Sequence, residues 1–193
     1  MQNKAMLHST THATPVGELT LVASDHGLRA VVWPTSSLKR AGVTGRPHRN
    51  PDHPILKSTI RQLDEYFAGE RTAFDIAVDL EGTRFQVAAW RSLAQIPFGS
   101  TTTYGRQAAT LGIPTAARAI GAANGANPVC IVLPCHRVIG SDGSLTGFGG
   151  GLEVKQWLLE HEARVLAGGQ YSIDSTQWQR RQPLQTRLSM PVA

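Results

Sequence analysis

The chain of 193 residues is 41% hydrophobic and 17% charged, enough apolar material for one large or two small cores. No stretch approaches the ~18 uninterrupted apolar residues of a membrane span, and Met1 to Thr14 lack the apolar block of a secretory signal, so the expected compartment is the cytoplasm. The net charge of +5 is unevenly distributed: residues 1–82 balance nine basic against nine acidic side chains, whereas Thr83 to Gly151 carry five arginines against the single acid Asp142. That bias suits either a polyanion partner for the second half or a solvated basic face.

Along the chain, Leu19 to Val22 and Leu28 to Trp33 read as strands of a β-meander, separated by the turn signal Asp25-His26-Gly27 and preceded by a turn at Pro15 to Gly17. Pro34 to Pro54 has no periodicity and is expected to be a long loop. Leu56, Ile60, Leu63 and Phe67 follow helical spacing up to Gly69, and Phe74 to Leu80 is expected to add a short strand. His8, His12, His48 and His53 lie in polar, turn-rich surroundings and are expected to be solvated, so no metal site is expected.

A second pattern starts at Thr83-Arg-Phe-Gln86, a capping box opening a helix that Ile96-Pro97-Phe98-Gly99 ends. Two short helices follow, about Gly105 to Leu111 and Thr115 to Asn124, with helix-turn-helix spacing. The second surrounds Arg118 with Ala116, Ala117, Ala119, Gly121, Ala122 and Ala123, a composition that suits close backbone approach to a partner or tight helix packing. An apolar run from Pro128 to Val138 is broken by Pro134-Cys135-His136-Arg137. A glycine-rich loop then leads into a helix from Leu152 to about Glu162. The expected organisation is α+β: an N-terminal α/β domain with a small antiparallel sheet (1–82), a mainly helical, winged-helix-like domain (83–168) and a partly mobile extension (169–193).

Cys135 is the candidate nucleophile, the two cysteines being too few and too close for a disulfide framework. A free thiol is only a few per cent ionised at neutral pH, so it needs a base or a positive field, for which His136 and Arg137 are candidates. Neighbours in an extended segment point apart, so Cys135 and His136 require a sharp turn or a bridging water to cooperate. The acid orienting His136 is expected from elsewhere, with Glu162 the choice over its alternative as a surface partner of Arg164.

Pro134-Cys135-His136-Arg137-Val138 resembles the active-site motif of the O6-alkylguanine-DNA alkyltransferases. The resemblance extends in order through Thr83-x-Phe85-Gln86, Ile96-Pro97-x-Gly99, Tyr104-Gly105, Ala116-Ala117-Arg118-Ala119, Asn124-Gly125-x-Asn127-Pro128, Gly147-x-Gly149-Gly150-Gly151 and Lys155-x-Trp157-Leu158-Leu159-x-His161-Glu162. It implies a monomeric, cofactor-free, single-turnover enzyme acting on double-stranded DNA that carries O6-alkylguanine, through the minor groove and with the damaged nucleotide flipped out. Cys135 would accept the alkyl group, a water would link it to His136, and Glu162 would orient that histidine. Tyr104 would contact the flipped nucleotide, and Asn127 would join recognition helix to active-site segment. The carbonyls of Cys135 and Val138 and the N–H of Gly149 would read the guanine, with Lys155 near the loop. Arg118 would fill the vacated stack, with Thr115, Ala116, Ala117, Ala119, Gly121 and Ala122 forming the groove-facing surface.

Phe148 stands where the family often has tyrosine, and Cys130 where some members have proline beside the pocket. The cysteines with which some members bind zinc in the N-terminal domain are missing. Two other classes compete: a non-catalytic DNA-binding lesion sensor, which leaves Cys135 unexplained, and a cysteine hydrolase, which leaves Arg118 unexplained. Alkyl-group preference, activity on O4-alkylthymine and cooperativity on DNA stay open.

Overall fold

The computed structural model describes residues 6–168, and the expected 169–193 extension lies outside them. Buried apolar runs build the sheet: β1 (His8–Thr14), β2 (Gly17–Ser24) and β3 (Gly27–Val32) form an antiparallel meander in which β3 is buried along its whole length. The Pro34 to Pro54 segment is not wholly a loop. Its β4 (His48–Arg49) pairs in parallel with β1 at His8 and Ser9, giving the order β3-β2-β1-β4.

Helix α1 (Pro54–Phe67) starts on a proline and packs Leu56, Leu63, Tyr66 and Phe67 inward, and Gly69 follows it with φ +79°. The strand expected over Phe74 to Leu80 is reduced to a single bridge, Val78 to Leu28. The cause lies on β3: pairing passes from Val22–Ala30 to Ala23–Leu28, so Arg29 is an extra residue in the ladder. Across that bulge the outer edge is shared between two segments. Leu28 N–H bonds the Ala77 carbonyl at 2.8 Å, and Val31 N–H bonds the Pro128 carbonyl at 2.7 Å. Arg29 secures the 74–81 segment instead, through Asp79 at 2.6 Å and Glu81 at 2.7 Å.

Helix α2 (Arg84–Leu93) opens on the reciprocal Thr83–Gln86 capping box, a device worth about 1 kcal/mol. Thr103 caps α3 (Tyr104–Thr110). Helix α4 runs Ala117–Gly125, later than the expected Thr115 start, because Ala116 N–H closes a turn onto Ile113 and Thr115 stays outside. Ala89, Ala108, Ile120 and Ala123 form the small-residue core of these three helices. Gln107 and Asn124 are joined inside it by a 2.7 Å hydrogen bond. A 3₁₀ turn (Cys135–Arg137) leads into β6 (Val138–Ile139), which pairs in parallel with β5 (Thr102–Thr103). Helix α5 (Leu152–Leu166) continues past the expected Glu162 end. One buried cluster runs from Leu19, Leu21 and Trp33 through Tyr66 and Phe67 to Trp90, Ile131 and Leu158, so both halves share a core. Among the described residues no helix is long and apolar enough to cross a membrane.

The histidines depart from expectation. His53 is only 7% exposed, and His12 bonds Asp64 at 2.8 Å. The sheet register places His8 opposite Ala23, two residues before Asp25, while α1 begins at His53. Residues distant in sequence are thereby gathered at one sheet end.

Candidate active site

The segment from Pro128 to Val138 is buried throughout, and its backbone is bent twice. Ile131 has φ +73°, a left-handed conformation costing a β-branched residue on the order of 1–3 kcal/mol. Asn127 holds that bend from both sides, donating Nδ2–H to the Leu133 carbonyl at 2.8 Å and accepting Val129 N–H at 3.1 Å. The 3₁₀ turn supplies the second bend, placing Cys135 and His136 on a tight arc rather than on opposite faces of a strand.

Glu162 is the hub of the site. It is fully buried and accepts from His136 Nε2 at 2.7 Å, from Arg137 Nε at 3.0 Å and Nη2 at 2.9 Å, from Tyr66 Oη at 3.0 Å and from Gly99 N–H at 2.8 Å. Burial alone would raise its pKa, but the hydrogen bonds and charges of His136 and Arg137 outweigh that and hold the carboxyl at about 2. Arg137 is therefore committed to Glu162 and the Ile96 carbonyl (2.6 Å), not to Cys135.

Burial lowers His136, against the pull of Glu162, so the neutral ring is favoured. An ionised carboxylate only accepts, so the ring proton sits on Nε2 and Nδ1 keeps its lone pair. Nδ1 is buried and has no protein partner.

The Cys135 thiol lies 3.8 Å from the Cys130 sulfur, and both residues are buried. Its pKa is lowered, first by the hydrogen bond with Cys130 against the opposing effect of burial, then by Asn127 and by the Lys155 charge. Cys130 is pushed up by Cys135 and by burial, so it keeps its proton, which it donates to the Asn127 carbonyl at 3.4 Å. Lys155 is fully buried and donates from Nζ to the Val138 carbonyl at 2.6 Å and the Thr146 carbonyl at 2.8 Å. The Val138 carbonyl thus has a first partner, as does that of Cys135 through Val138 N–H. Each oxygen keeps a second lone pair.

Tyr104 donates to the Thr146 carbonyl at 3.2 Å, joining α3 to the glycine-rich loop. Phe148 is half-buried between Trp33 (centroids 5.4 Å apart) and His136 (6.4 Å). The loop lies flat on the Trp33 indole: a Cβ on Gly149 would contact it at 3.5 Å, and one on Gly150 would clash at 2.8 Å.

On α4, Arg118, Ala119 and Ala122 are exposed, as is Thr115 just before it. Ala117 is half-buried, Ala116 packs on the core of the three helices, and Gly121 is 3.7 Å from the Tyr104 ring at its would-be Cβ. Gly121 and Ala116 thus serve packing as well as the outer surface, and Tyr104 connects α4 to the glycine-rich loop.

Sequence reasoning missed Tyr66, Trp33 and the Gly99 N–H as parts of this cluster. Tyr66 lies three residues from Leu63 on the apolar face of α1, a spacing that could have marked it as inward-facing.

The family model described as 6-O-methylguanine DNA methyltransferase, ribonuclease-like domain, matches residues 7–80, and its DNA binding domain counterpart matches residues 84–164. A methylated-DNA-protein-cysteine methyltransferase of Mycobacterium bovis is 46% identical over 157 residues, covering 81% of this chain and 93% of that relative. The Salmonella typhimurium relative of the same name is 42% identical over 161 residues, covering 80% and 94%. A crystal structure of Mycobacterium tuberculosis OGT in complex with DNA superposes with TM-score 0.72 at 45% identity, covering 82% of this chain and 94% of that one. Carrying both halves of the family pattern around the buried Cys135-His136-Glu162 cluster, this chain belongs to the methylated-DNA-protein-cysteine methyltransferases.

Proposed function

We propose that this protein repairs DNA by moving the alkyl group of O6-alkylguanine onto Cys135, once per molecule. The observation that carries the reading is the buried cysteine beside a neutral histidine whose Nε2–H is committed to Glu162. Cys135 passes its proton through a water to His136 Nδ1, and Glu162 stabilises the imidazolium that forms. The thiolate attacks the alkyl carbon, the carbon–oxygen bond breaks as the sulfur–carbon bond forms, and the guanine leaves with its negative charge compensated by a hydrogen bond from Tyr104. A thioether has no leaving route, so the protein stays alkylated.

Substrate reading falls to the second lone pairs of the Cys135 and Val138 carbonyls and to Gly149 N–H, with Phe148 as an apolar wall. Lys155 adds positive field near the thiolate and holds the Val138 carbonyl in place. Arg118 enters the minor groove from the small, exposed surface of Thr115, Ala119 and Ala122 and fills the stack left by the flipped nucleotide, against an unstacking cost of a few kcal/mol. The test is stoichiometric: with excess duplex carrying O6-methylguanine, repair should plateau at one lesion per protein molecule. Continued turnover would refute the mechanism.

A further inference from the structure

We propose that His8, Asp25 and His53 form a binding site for a divalent transition metal, of which Zn²⁺ is the representative. One ligand atom from each lies within 4.8 Å of the others. His53 Nε2 and Asp25 Oδ1 are already 3.5 Å apart, about the spacing of two ligands on a tetrahedral zinc with bonds near 2.0–2.2 Å. The remaining contraction is small and falls on mobile groups, since the Asp25 side chain is 75% exposed in the β2–β3 turn and His8 is only half-buried. The His8 and His53 rings stack with centroids 4.6 Å apart and planes 25° apart, so a rotation of the half-buried His8 ring about χ2 is what brings a nitrogen of each onto one point.

Two further observations point to a ligand. His53 occupies the N-cap of α1, where Ser, Thr, Asp or Asn normally accepts a backbone N–H, yet it makes no side-chain cap bond. Its side chain is 8% exposed, and Nε2, the nitrogen facing Asp25, stands 3.5 Å from Oδ1, longer than a good hydrogen bond. The residue thus serves neither as a cap nor as a satisfied core histidine.

Asn50, whose Nδ2 is 3.5 Å from His8 Nδ1, is the outer partner: with its amide turned about, its oxygen accepts Nδ1–H and leaves Nε2 to the metal. Two imidazoles and one carboxylate favour Zn²⁺, Co²⁺ or Ni²⁺ over Mg²⁺ or Ca²⁺, with a water as fourth ligand. The metal would join the first residue of β1, the β2–β3 turn and the start of α1. None of the three residues belongs to the Cys135 cluster, so this inference stands apart from the proposed repair reaction.

The experiment is titration of EDTA-treated full-length protein with Co²⁺ and Zn²⁺, compared with His8→Asn and Asp25→Asn, both at positions that should fold without the metal. One equivalent of Co²⁺ should bind, with visible bands of tetrahedral nitrogen and oxygen ligation and without thiolate charge transfer. Zn²⁺ should raise the melting temperature of the wild type, Mg²⁺ should not, and each variant should bind at least about tenfold more weakly. Absence of binding, affinity unchanged in both variants, or a thiolate band placing the ion on Cys130 and Cys135 would each overturn the proposal.

Discussion

Replacing Glu162 by Gln keeps the shape of the side chain and removes its charge, which separates the relay from packing. Holding the carboxyl at about 2 rather than at 4.5 corresponds to about 3 kcal/mol, at ~1.4 kcal/mol per pH unit. Folding favours the carboxylate, so this contribution is complete above about pH 4.5 and is lost as pH falls toward about 2. Burial of His136 acts in the same direction, because protonation below its ordinary 6.5 opposes the folded state. In Glu162→Gln the buried Arg137 loses its counter-charge, and a loss of about 3–5 kcal/mol at pH 7 is expected by denaturant unfolding, with a flatter acid limb. The new amide would also donate to His136 Nε2, drive the ring proton to Nδ1 and remove the base facing Cys135. Alkyl transfer should slow roughly 10²-fold or more, and the pH profile of thiol alkylation at Cys135 should move upward. Tyr66→Phe deletes one 3.0 Å hydrogen bond to the same carboxylate and leaves its charge, so it should cost about 1–2 kcal/mol and leave the thiol profile in place. A folded Glu162→Gln protein with wild-type rate and thiol profile would refute the relay.

Arg118→Ala should slow repair in paired duplex more than reaction with free O6-alkylguanine base, and Arg118→Lys should recover DNA affinity better than duplex repair; an equal duplex-to-base rate ratio in all three proteins would reduce Arg118 to a phosphate contact. Cys130→Ala should raise the apparent pKa of Cys135 by removing the thiol 3.8 Å from it, as read from alkylation rate against pH, with no change as the contrary result. Cys130→Pro should be inactivated faster than wild type by free O6-benzylguanine, because a rigid apolar wall replaces the thiol; equal rates in a stable variant would show that residue 130 does not shape the pocket. Gly99→Ala should destabilise by about 1–2 kcal/mol in chemical denaturation, since φ is +69° and the new Cβ meets Leu166; unchanged stability would mean that the 96–99 turn relaxes freely.

What the sequence made legible was local. Apolar runs bounded by turn signals located β2 and β3, the Thr83–Gln86 pair marked the start of α2, and the cysteine motif singled out Cys135, His136 and, at long range, Glu162. The misreadings share a cause in contacts between distant segments. The bulge at Arg29 divides the β3 edge between Ala77 and Pro128, so a strand-like run at Phe74 to Leu80 has almost no ladder to join. Tyr66 reaches Glu162 across 96 residues of chain, and His53 comes beside Asp25 only through the sheet register. No periodicity or spacing rule carries such information. The outer surface of α4 was readable in composition, but which small residues serve packing depended on where Tyr104 and Ala89 lie.

The central claim is that Cys135 itself becomes the alkylated residue. Peptide mapping by mass spectrometry after reaction with O6-methylguanine duplex tests it directly, because Cys130 lies 3.8 Å away and is the built-in rival. The account predicts a single methyl group, on the sulfur of Cys135, in every reacted molecule and no methyl on Cys130. A methyl on Cys130, or repaired DNA with both thiols unmodified, would contradict it.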